Sequence, residues 1–264
     1  MRRDSVAGTI LVAAVLCVVC SVIVSSTAVG LKSFQQANSK LDKQRNVLAA
    51  AGLLKPEDTP ADVEATFQKN FEKHFVNLET GEVVSDEQLK EAGVAEPSTY
   101  DPAEARDNPN LNRTVEGLPG IVKTEKYVDV YLVKSDDGKL EGLVLPIYGK
   151  GLWSTMYGYL ALDADLKTAK GITFYSHGET PGLGGEVDNP NWKSQWPGKK
   201  VRDDEGNVLI EVVKGQGSGD SEVDGLSGAT ITTKGVDNFV RFWLGEEGFG
   251  PYLKNLESKE KSDG

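Results

Sequence analysis

The sequence predicts an α+β protein in which an N-terminal transmembrane helix precedes an extracytoplasmic domain, a mainly antiparallel β-sheet flanked by helices. Three observations predict it. An uncharged stretch runs from Ser5 to Leu31, short alternating segments with tight turns occupy residues 127–213, and a helical apolar stripe follows at residues 236–244. Short strands joined by tight turns pair with antiparallel neighbours, because parallel neighbours need long crossovers.

The uncharged N-terminal stretch is longer than the ~20 residues that a helix needs to cross a bilayer. Arg2 and Arg3 precede it, which predicts a cytoplasmic N-terminus at residues 1–8 by the positive-inside rule. Residues 9–31 are then the membrane helix, in contact with lipid. A cleaved signal peptide is the alternative, since Ser26-Thr27-Ala28 resembles a cleavage site.

Charge and metal-ligand content exclude several classes of function. The net charge of −11 argues against a nucleic-acid partner, because phosphate binding needs clustered lysine and arginine. The two cysteines, Cys17 and Cys20, lie in the apolar stretch, and the two histidines are His74 and His177. The sequence therefore predicts no metal site and leaves redox chemistry to an organic cofactor.

Residues 32–125 are predicted to be helical and irregular and to pack on the core. A helix continues from Leu31 to about Gly52, and Thr59 as N-cap with Pro60 after it predicts a new helix start.

The spacing of Val63, Phe67, Phe71 and Phe75 predicts one helical stripe, with His74 beside it on the helix surface. Residues 85–118 are polar with scattered prolines, and we expect a long surface excursion there.

Residues 126–254 are predicted to form the core domain. A β-hairpin is expected at residues 127–148, and further strands at 156–162, 171–175 and 208–213. The stripe at residues 236–244 predicts the closing helix, and residues 255–264 a polar tail.

Three segments could carry chemistry. In Asp224–Thr232, small residues precede a helix whose N-terminus can bind an anion, with Thr232 or Thr233 as the expected N-cap. Glu179–Glu186 is a loop rich in glycine that could hold a planar polar ligand. Gly149–Trp153 offers a lysine and a tryptophan. Taken singly, each also fits an ordinary loop, and Trp153 a core residue.

Two of these segments resemble signatures of the FMN-binding domain family. Asp224–Thr230 is similar to its flavinylation motif, in which a flavin transferase joins FMN through its phosphate to the threonine hydroxyl. Glu179–Gly184 is similar to its second signature. The resemblance implies that residues 126–254 are an FMN-binding domain carrying FMN as a phosphoester of Thr230.

The likeness extends over nearly the whole chain to the C subunits of the sodium-pumping NADH:quinone oxidoreductases. It includes the segments Leu41–Gln44, Lys150–Trp153, 176–189 and 243–252. The resemblance implies a membrane complex of six subunits in the bacterial inner membrane, in which this chain has a periplasmic flavin domain. Its FMN would take electrons from a membrane iron–sulfur centre and pass them to another flavin subunit on the way to ubiquinone.

The site residues follow from the same resemblance. No catalytic side chain is expected, because the flavin performs the redox chemistry. Thr230 would be the attachment residue, and Lys150 could offer charge to the phosphate or the reduced ring. The phosphate would be surrounded by Ser227, Gly228, Ala229 and Thr232, and the ring would lie against Thr180, Gly182, Leu183 and Gly184.

Three alternatives remain at this point. The homologous subunit of the ferredoxin-linked electron-transport complex shares the anchor and the threonine motif. A secreted serine hydrolase would use Ser227 in Gly225–Ala229, but no histidine follows that serine, as α/β-hydrolases require. A scaffold without redox chemistry would hold a complex together at the membrane.

Overall fold

The computed structural model describes residues 6–263, which divide between Lys43 and Gln44 into two compact units. Helix α1 is Val6–Ala50, and its residues up to Lys43 make up the first unit. Within the described residues, α1 alone is long and apolar enough to cross a membrane. Its side chains from Ile10 to Leu31 are exposed, as lipid-facing residues of an anchor would be. Arg2 and Arg3, on which the predicted orientation depends, lie outside the described residues.

The second unit begins with the last turns of α1, which end where predicted. The N–H of Leu53 donates to the carbonyl of Leu48 across Gly52. Helix α2, Pro60–Asn70, starts with a complete capping box, in which Thr59 and Asp62 bond each other's backbone N–H groups. The predicted start at Thr59 and Pro60 is therefore confirmed.

The predicted helical stripe from Val63 to Phe75 is wrong in its second half. Helix α2 stops at Asn70, and Phe71–Asn77 is strand β1, paired along its length with residues 127–133. His74 therefore lies on a strand, with Nε2 2.7 Å from a carboxylate oxygen of Glu72, and not on a helix surface. Residues four apart lie on the same face of a helix, which has a period of 3.6, and also on the same face of a strand, which has a period of two. A spacing of four therefore cannot distinguish a helix from a strand.

The polar stretch at residues 85–118 is not merely a surface excursion, because it forms a small core of its own. Leu89, Val94 and Leu111 are buried there against Phe75 of β1. Single apolar residues among polar ones gave too little periodicity to reveal these contacts. The stretch and its flanks contain β2 Glu82–Val84, α3 Asp86–Glu91, α4 Pro102–Ala105, β3 Asn112–Thr114 and β4 Lys123–Glu125.

A buried ion pair fastens this stretch to the sheet. The carboxylate of Glu125, 2% exposed, accepts a hydrogen bond from the Tyr148 hydroxyl at 2.8 Å and lies 3.4 Å from Arg106 Nε. The Arg106 guanidinium also covers the Tyr148 ring, 4.3 Å from its centroid. Burial raises the pKa of Glu125, although Arg106 opposes the shift.

The central sheet has six strands, of which the four later ones are β5 Tyr127–Lys134, β6 Leu140–Lys150, β7 Thr155–Asp163 and β8 Ala169–Ser176. Their order in the sheet is β2-β1-β5-β6-β7-β8, and every neighbouring pair is antiparallel. The predicted hairpin and the two strands after it are confirmed, and so is the α+β class with an antiparallel sheet.

Helices cover both faces of the sheet. The end of α1 packs on one face, where Val47 and Ala50 contact Tyr131 and Tyr159. Helices α6, Thr230–Leu244, and α7, Gly250–Asp263, pack on the other. The predicted α6 stripe is confirmed, since each of its five members is at most 1% exposed: Val236, Phe239, Val240, Trp243 and Leu244. Helix α7 continues into the stretch predicted to be a polar tail, residues 255–264, and Leu256 in that stretch is buried.

Between β8 and α6 the chain is mostly irregular. It contains a short 3-10 helix at Gly184–Asp188 and a one-turn helix, α5, at Pro190–Lys193. The strand predicted at residues 208–213 is only two residues long, β9 Glu211–Val212, and pairs in parallel with β10, Glu222–Val223.

Candidate functional site

The candidate acceptor Thr230 is the first residue of α6, and its side chain is exposed. Ser227 and Gly228, in the preceding turn, are exposed as well, whereas Ala229 is 8% exposed. Ala229 occupies the N-cap position, and within residues 6–263 no side chain caps the helix. The first N–H groups of α6 therefore lack a side-chain partner, beside a residue that could carry a phosphate.

The prediction that Thr232 or Thr233 caps this helix is wrong, because the helix begins before both. The Thr233 hydroxyl accepts from the N–H of Leu226 at 2.9 Å, and the Thr232 hydroxyl donates to a carboxylate oxygen of Glu179 at 2.5 Å. Thr232 is only 1% exposed. It lies beneath the surface on which Thr230 lies, and its one hydroxyl proton is already engaged.

Asp224 fixes the start of the acceptor segment. Its N–H donates to the side-chain oxygen of Gln195 at 3.0 Å, and its carboxylate accepts from the N–H of Gly217 at 2.8 Å. Its carbonyl accepts from the indole N–H of Trp192 at 2.7 Å. These bonds give Asp224 a structural role in the folded domain.

The second segment forms a tight turn that touches the first. The N–H of Leu183 donates to the carbonyl of Thr180 at 3.1 Å, with Pro181 and Gly182 as the central residues of the turn. A methyl group placed on Gly228 would lie 3.0 Å from Cδ2 of Leu183, so the two loops are in contact. Leu183 is 44% exposed, whereas Gly184 is buried.

The third segment lies beside the second and carries an exposed tryptophan. Trp153 is 70% exposed, which corrects its alternative interpretation as a core residue. Its indole N–H donates to the Thr180 hydroxyl at 3.1 Å. The Ser154 hydroxyl accepts from the N–H of Gly178 at 2.7 Å. The predicted three segments therefore meet at one place.

The residue that joins them is Glu179, whose role is not predicted from the sequence beyond its place at the start of the loop. Its carboxylate accepts from the backbone N–H of Trp153 at 2.9 Å and of Leu152 at 3.2 Å, and from the Thr232 hydroxyl. Burial alone would raise its pKa, but these bonds and one from Ser154 hold the pKa of Glu179 below its usual value. Glu179 is one of two glutamates in the loop Glu179–Glu186, and no local pattern in the sequence distinguishes it from Glu186.

Lys150 has its partner outside this meeting point, whereas His177 bonds both to Asp188 and to the backbone of Glu179. The Lys150 ammonium donates to the Thr155 hydroxyl at 2.8 Å. His177 Nε2 lies 2.9 Å from Asp188, and its Nδ1 accepts from the N–H of Glu179 at 3.2 Å. These contacts give His177 a role in fixing the loop and do not place it as a base for Ser227, as a hydrolase would require.

Exposed apolar side chains lie on the joined segments and on the first turn of α6. Exposed apolar side chains that are grouped on one surface, and not scattered singly, mark a place where a ligand or a partner binds. Four of them belong to the three joined segments and the first turn of α6: Leu152, Trp153, Leu183 and Ile231, between 44% and 70% exposed. An anion-binding helix start beside such a surface suits a ligand with a phosphate and a flat, largely apolar ring.

Replacing Gly235 with alanine should destabilise the protein and disturb the site. The added methyl group would overlap the carbonyl oxygen of Lys150, where α6 crosses the end of β6. Overpacking of this kind typically costs about 1–3 kcal/mol, although an alanine in a helix interior is otherwise favourable by ~1 kcal/mol. Urea unfolding followed by circular dichroism measures the change, with the exposed Lys234→Ala as control. A Gly235→Ala protein more stable than the wild type would contradict this packing.

The fold and the site together define a flavin-binding domain. The model of the family described as FMN-binding domain matches residues 151–245, which include all three joined segments except Gly149 and Lys150. The chain belongs to the family of the C subunits of the Na(+)-translocating NADH-quinone reductases, which are oxidoreductase complexes.

Family membership is shown by relatives that match along the whole chain. The C subunit of the Na(+)-translocating NADH-quinone reductase of Yersinia pestis is 46% identical over 100% of this chain and 97% of its own length. The C subunit of the Pseudomonas aeruginosa enzyme is also 46% identical, over 98% of this chain and 99% of its own.

Solved structures agree with this family. The crystal structure of NqrC from Shewanella oneidensis matches with a TM-score of 0.74 and 37% identity, over 84% of this chain and 99% of that one. The C subunit of the Na(+)-translocating NADH-quinone reductase from Parabacteroides distasonis matches with a TM-score of 0.63 and 28% identity, over 86% and 96%.

Proposed function

We propose that this chain is the subunit that carries a covalent FMN on Thr230 within a sodium-translocating NADH:quinone reductase. Electrons pass through that FMN from a membrane iron–sulfur centre to another flavin subunit and on to ubiquinone. The observation that carries the proposal is an exposed threonine at an uncapped helix start, next to exposed apolar side chains.

The residues around Thr230 fit a flavin nucleotide. The exposed Ser227 and Gly228, with the first N–H groups of α6, would hold the phosphate, since an uncapped helix start favours negative charge. Leu183 and the turn from Thr180 to Gly182 would lie against the ring. The buried Ala229, Thr232 and Gly184 would support these contacts from beneath. Lys150 remains a weaker candidate, because its ammonium is bonded to Thr155.

Attachment of FMN is a phosphoryl transfer that needs an activated donor and a separate enzyme. Direct condensation of Thr230 with FMN would release water, and in aqueous solution the reverse reaction, hydrolysis, is favoured. We therefore propose a flavin dinucleotide as donor and a flavin transferase as catalyst. The Thr230 oxygen bonds to the FMN phosphorus, the pyrophosphate P–O bond breaks, AMP leaves, and the hydroxyl proton passes to the transferase. Thr230 supplies only its exposed hydroxyl.

In the assembled complex the bound FMN supplies the one- and two-electron chemistry, and the protein positions it. A covalent bond keeps the cofactor in a compartment where lost flavin could not easily be replaced. We propose that residues 9–31 anchor the chain in the bacterial inner membrane, with residues 1–8 in the cytoplasm and the flavin domain in the periplasm. The partners are the other members of a complex of six subunits.

Reduction of this flavin during turnover tests the proposed function. Membranes containing the complex are mixed with NADH without oxygen, and visible absorbance is followed. Fluorescence of this chain's band on a denaturing gel shows that it holds a flavin. We expect that flavin to be reduced by NADH and then reoxidised when ubiquinone is added. Full NADH:quinone activity in a complex in which this chain holds no flavin would overturn the proposal.

A further inference from the structure

Glu179 is placed where the three segments of the site can be held by one group. It is 5% exposed, and its carboxylate takes bonds from three directions. One oxygen accepts from the N–H of Trp153 at 2.9 Å, and the other accepts from the N–H of Leu152 at 3.2 Å and from the Thr232 hydroxyl at 2.5 Å. Bonds to an ionised acceptor are about twice as strong as neutral ones.

The same carboxylate explains two glycines of the joined segments. A methyl group on Gly151 would come 2.5 Å from one oxygen of Glu179. A methyl group on Gly184 would come 2.7 Å from the other oxygen and 2.6 Å from the Thr232 hydroxyl. Real Cβ atoms do not approach that closely, so neither loop has room for a side chain at these glycines while Glu179 and its neighbours Met156 and Thr232 stay in place.

The bond to Thr232 also fixes the rotation of the first turn of α6. Successive helical residues are about 100° apart around the axis, so Thr230 and Thr232 are separated by about 200°. With Thr232 held inward, at 1% exposure, Thr230 is turned outward. Together with the bond between the Thr233 hydroxyl and the N–H of Leu226, the inward bond therefore holds the acceptor on the outer side of this turn.

From these contacts we infer that Glu179 is a positioning residue for flavin attachment, which acts through Thr232 and the Leu152–Trp153 backbone to hold Thr230 in one orientation. The inference rests on the proposed function, because it assumes that Thr230 is the acceptor. Glu179 touches neither the acceptor hydroxyl nor the bonds that break. Its loss should lower the rate of transfer and leave the affinity for the transferase unchanged.

The test measures flavin transfer to the full-length chain in detergent, with a flavin transferase and flavin adenine dinucleotide, by mass spectrometry over time. Glu179→Gln replaces one of the two accepting carboxylate oxygens with an NH2 group. That group donates hydrogen bonds and cannot accept one from a backbone N–H or from the Thr232 hydroxyl. Thr232→Val removes the hydroxyl and keeps the shape. We expect each to lower kcat for transfer by about 10- to 100-fold with KM for the acceptor chain unchanged, as small misplacements do.

Two variants control the experiment. Thr232→Ser restores the hydroxyl and should return kcat to within about threefold of the wild type, because the bond to Glu179 is a single charge-assisted hydrogen bond. Glu211→Gln makes the same chemical change at an exposed glutamate of β9 and should leave kcat unchanged. Thermal unfolding of each variant, followed by circular dichroism, gives the folded fraction at the assay temperature.

The outcomes separate this inference from the proposed function. Absence of label on wild-type Thr230 would overturn both. A labelled wild type with Glu179→Gln and Thr232→Val at the wild-type rate would overturn the inference alone. A loss of rate that follows only the loss of folded protein, or that Thr232→Ser fails to restore, would also overturn it, because a purely structural role predicts that result.

Discussion

Thr230→Ala should abolish covalent flavin on this chain and leave the fold intact. The substitution removes the hydroxyl that would bond to phosphorus, and nothing nearby replaces it in the same position. Because Thr230 is exposed at the first position of α6, its loss should change the free energy of unfolding by less than about 0.5 kcal/mol. Intact mass and visible absorbance of the purified chain measure the first effect, and urea unfolding measures the second.

Two further substitutions make this result specific. Thr230→Ser keeps a hydroxyl at the same place and should still be labelled, whereas Thr66→Ala, the same change on α2, should be labelled like the wild type. Label that persists in Thr230→Ala would contradict the assignment, and fragment masses would then identify the true acceptor, for which Ser227 is the nearest exposed hydroxyl in sequence.

Trp243→Ala should produce the largest loss of stability. The side chain is 1% exposed and packs against Tyr148, with ring centroids 4.9 Å apart, and against Phe249 at 5.4 Å. Its indole N–H donates to the Tyr148 carbonyl at 2.7 Å. Truncation of a buried tryptophan to alanine costs about 3–5 kcal/mol, a large part of the ~5–15 kcal/mol that holds a typical domain folded.

An exposed tryptophan provides the matched control. Trp153→Ala makes the same change at a residue that is 70% exposed, and we expect it to cost less than about 1 kcal/mol. Urea unfolding of both variants, followed by circular dichroism, measures the difference. Equal losses at the two positions would contradict the placement of Trp243 in the core under α6.

The elements predicted correctly from the sequence are those whose local pattern fits only one kind of secondary structure. Thr59 and Pro60 determine a helix start because capping chemistry is local. The hairpin from residue 127 was predicted from its alternation and its turn, and α6 from a stripe that continues for nine residues, Val236–Leu244. These signals depend on neighbours in the chain, and the structure confirms them.

Predictions were wrong where contacts distant in sequence decide the structure. Phe71 and Phe75 lie on a strand because residues 127–133 pair with them, which no local spacing reveals. Residues 85–118 form a core around Phe75 for the same reason. Strand pairing and burial against a distant segment override local preference.

The candidate site was predicted only in part. The resemblance identified its three segments, and the structure brings them together. The sequence did not identify Glu179 as the group that joins them, because two of its partners are backbone N–H groups and the third is a threonine 53 residues away. The expected cap at Thr232 or Thr233 was wrong for a related reason, since both hydroxyls bond residues outside the helix.

The central claim is a covalent bond between a flavin nucleotide and Thr230. The chain is purified from its native membrane, and the tryptic peptide containing Thr230, between Lys214 and Lys234, is weighed and fragmented. We expect an added mass of one FMN less one water, located on Thr230. An unmodified peptide from cells that contain the flavin transferase would contradict it.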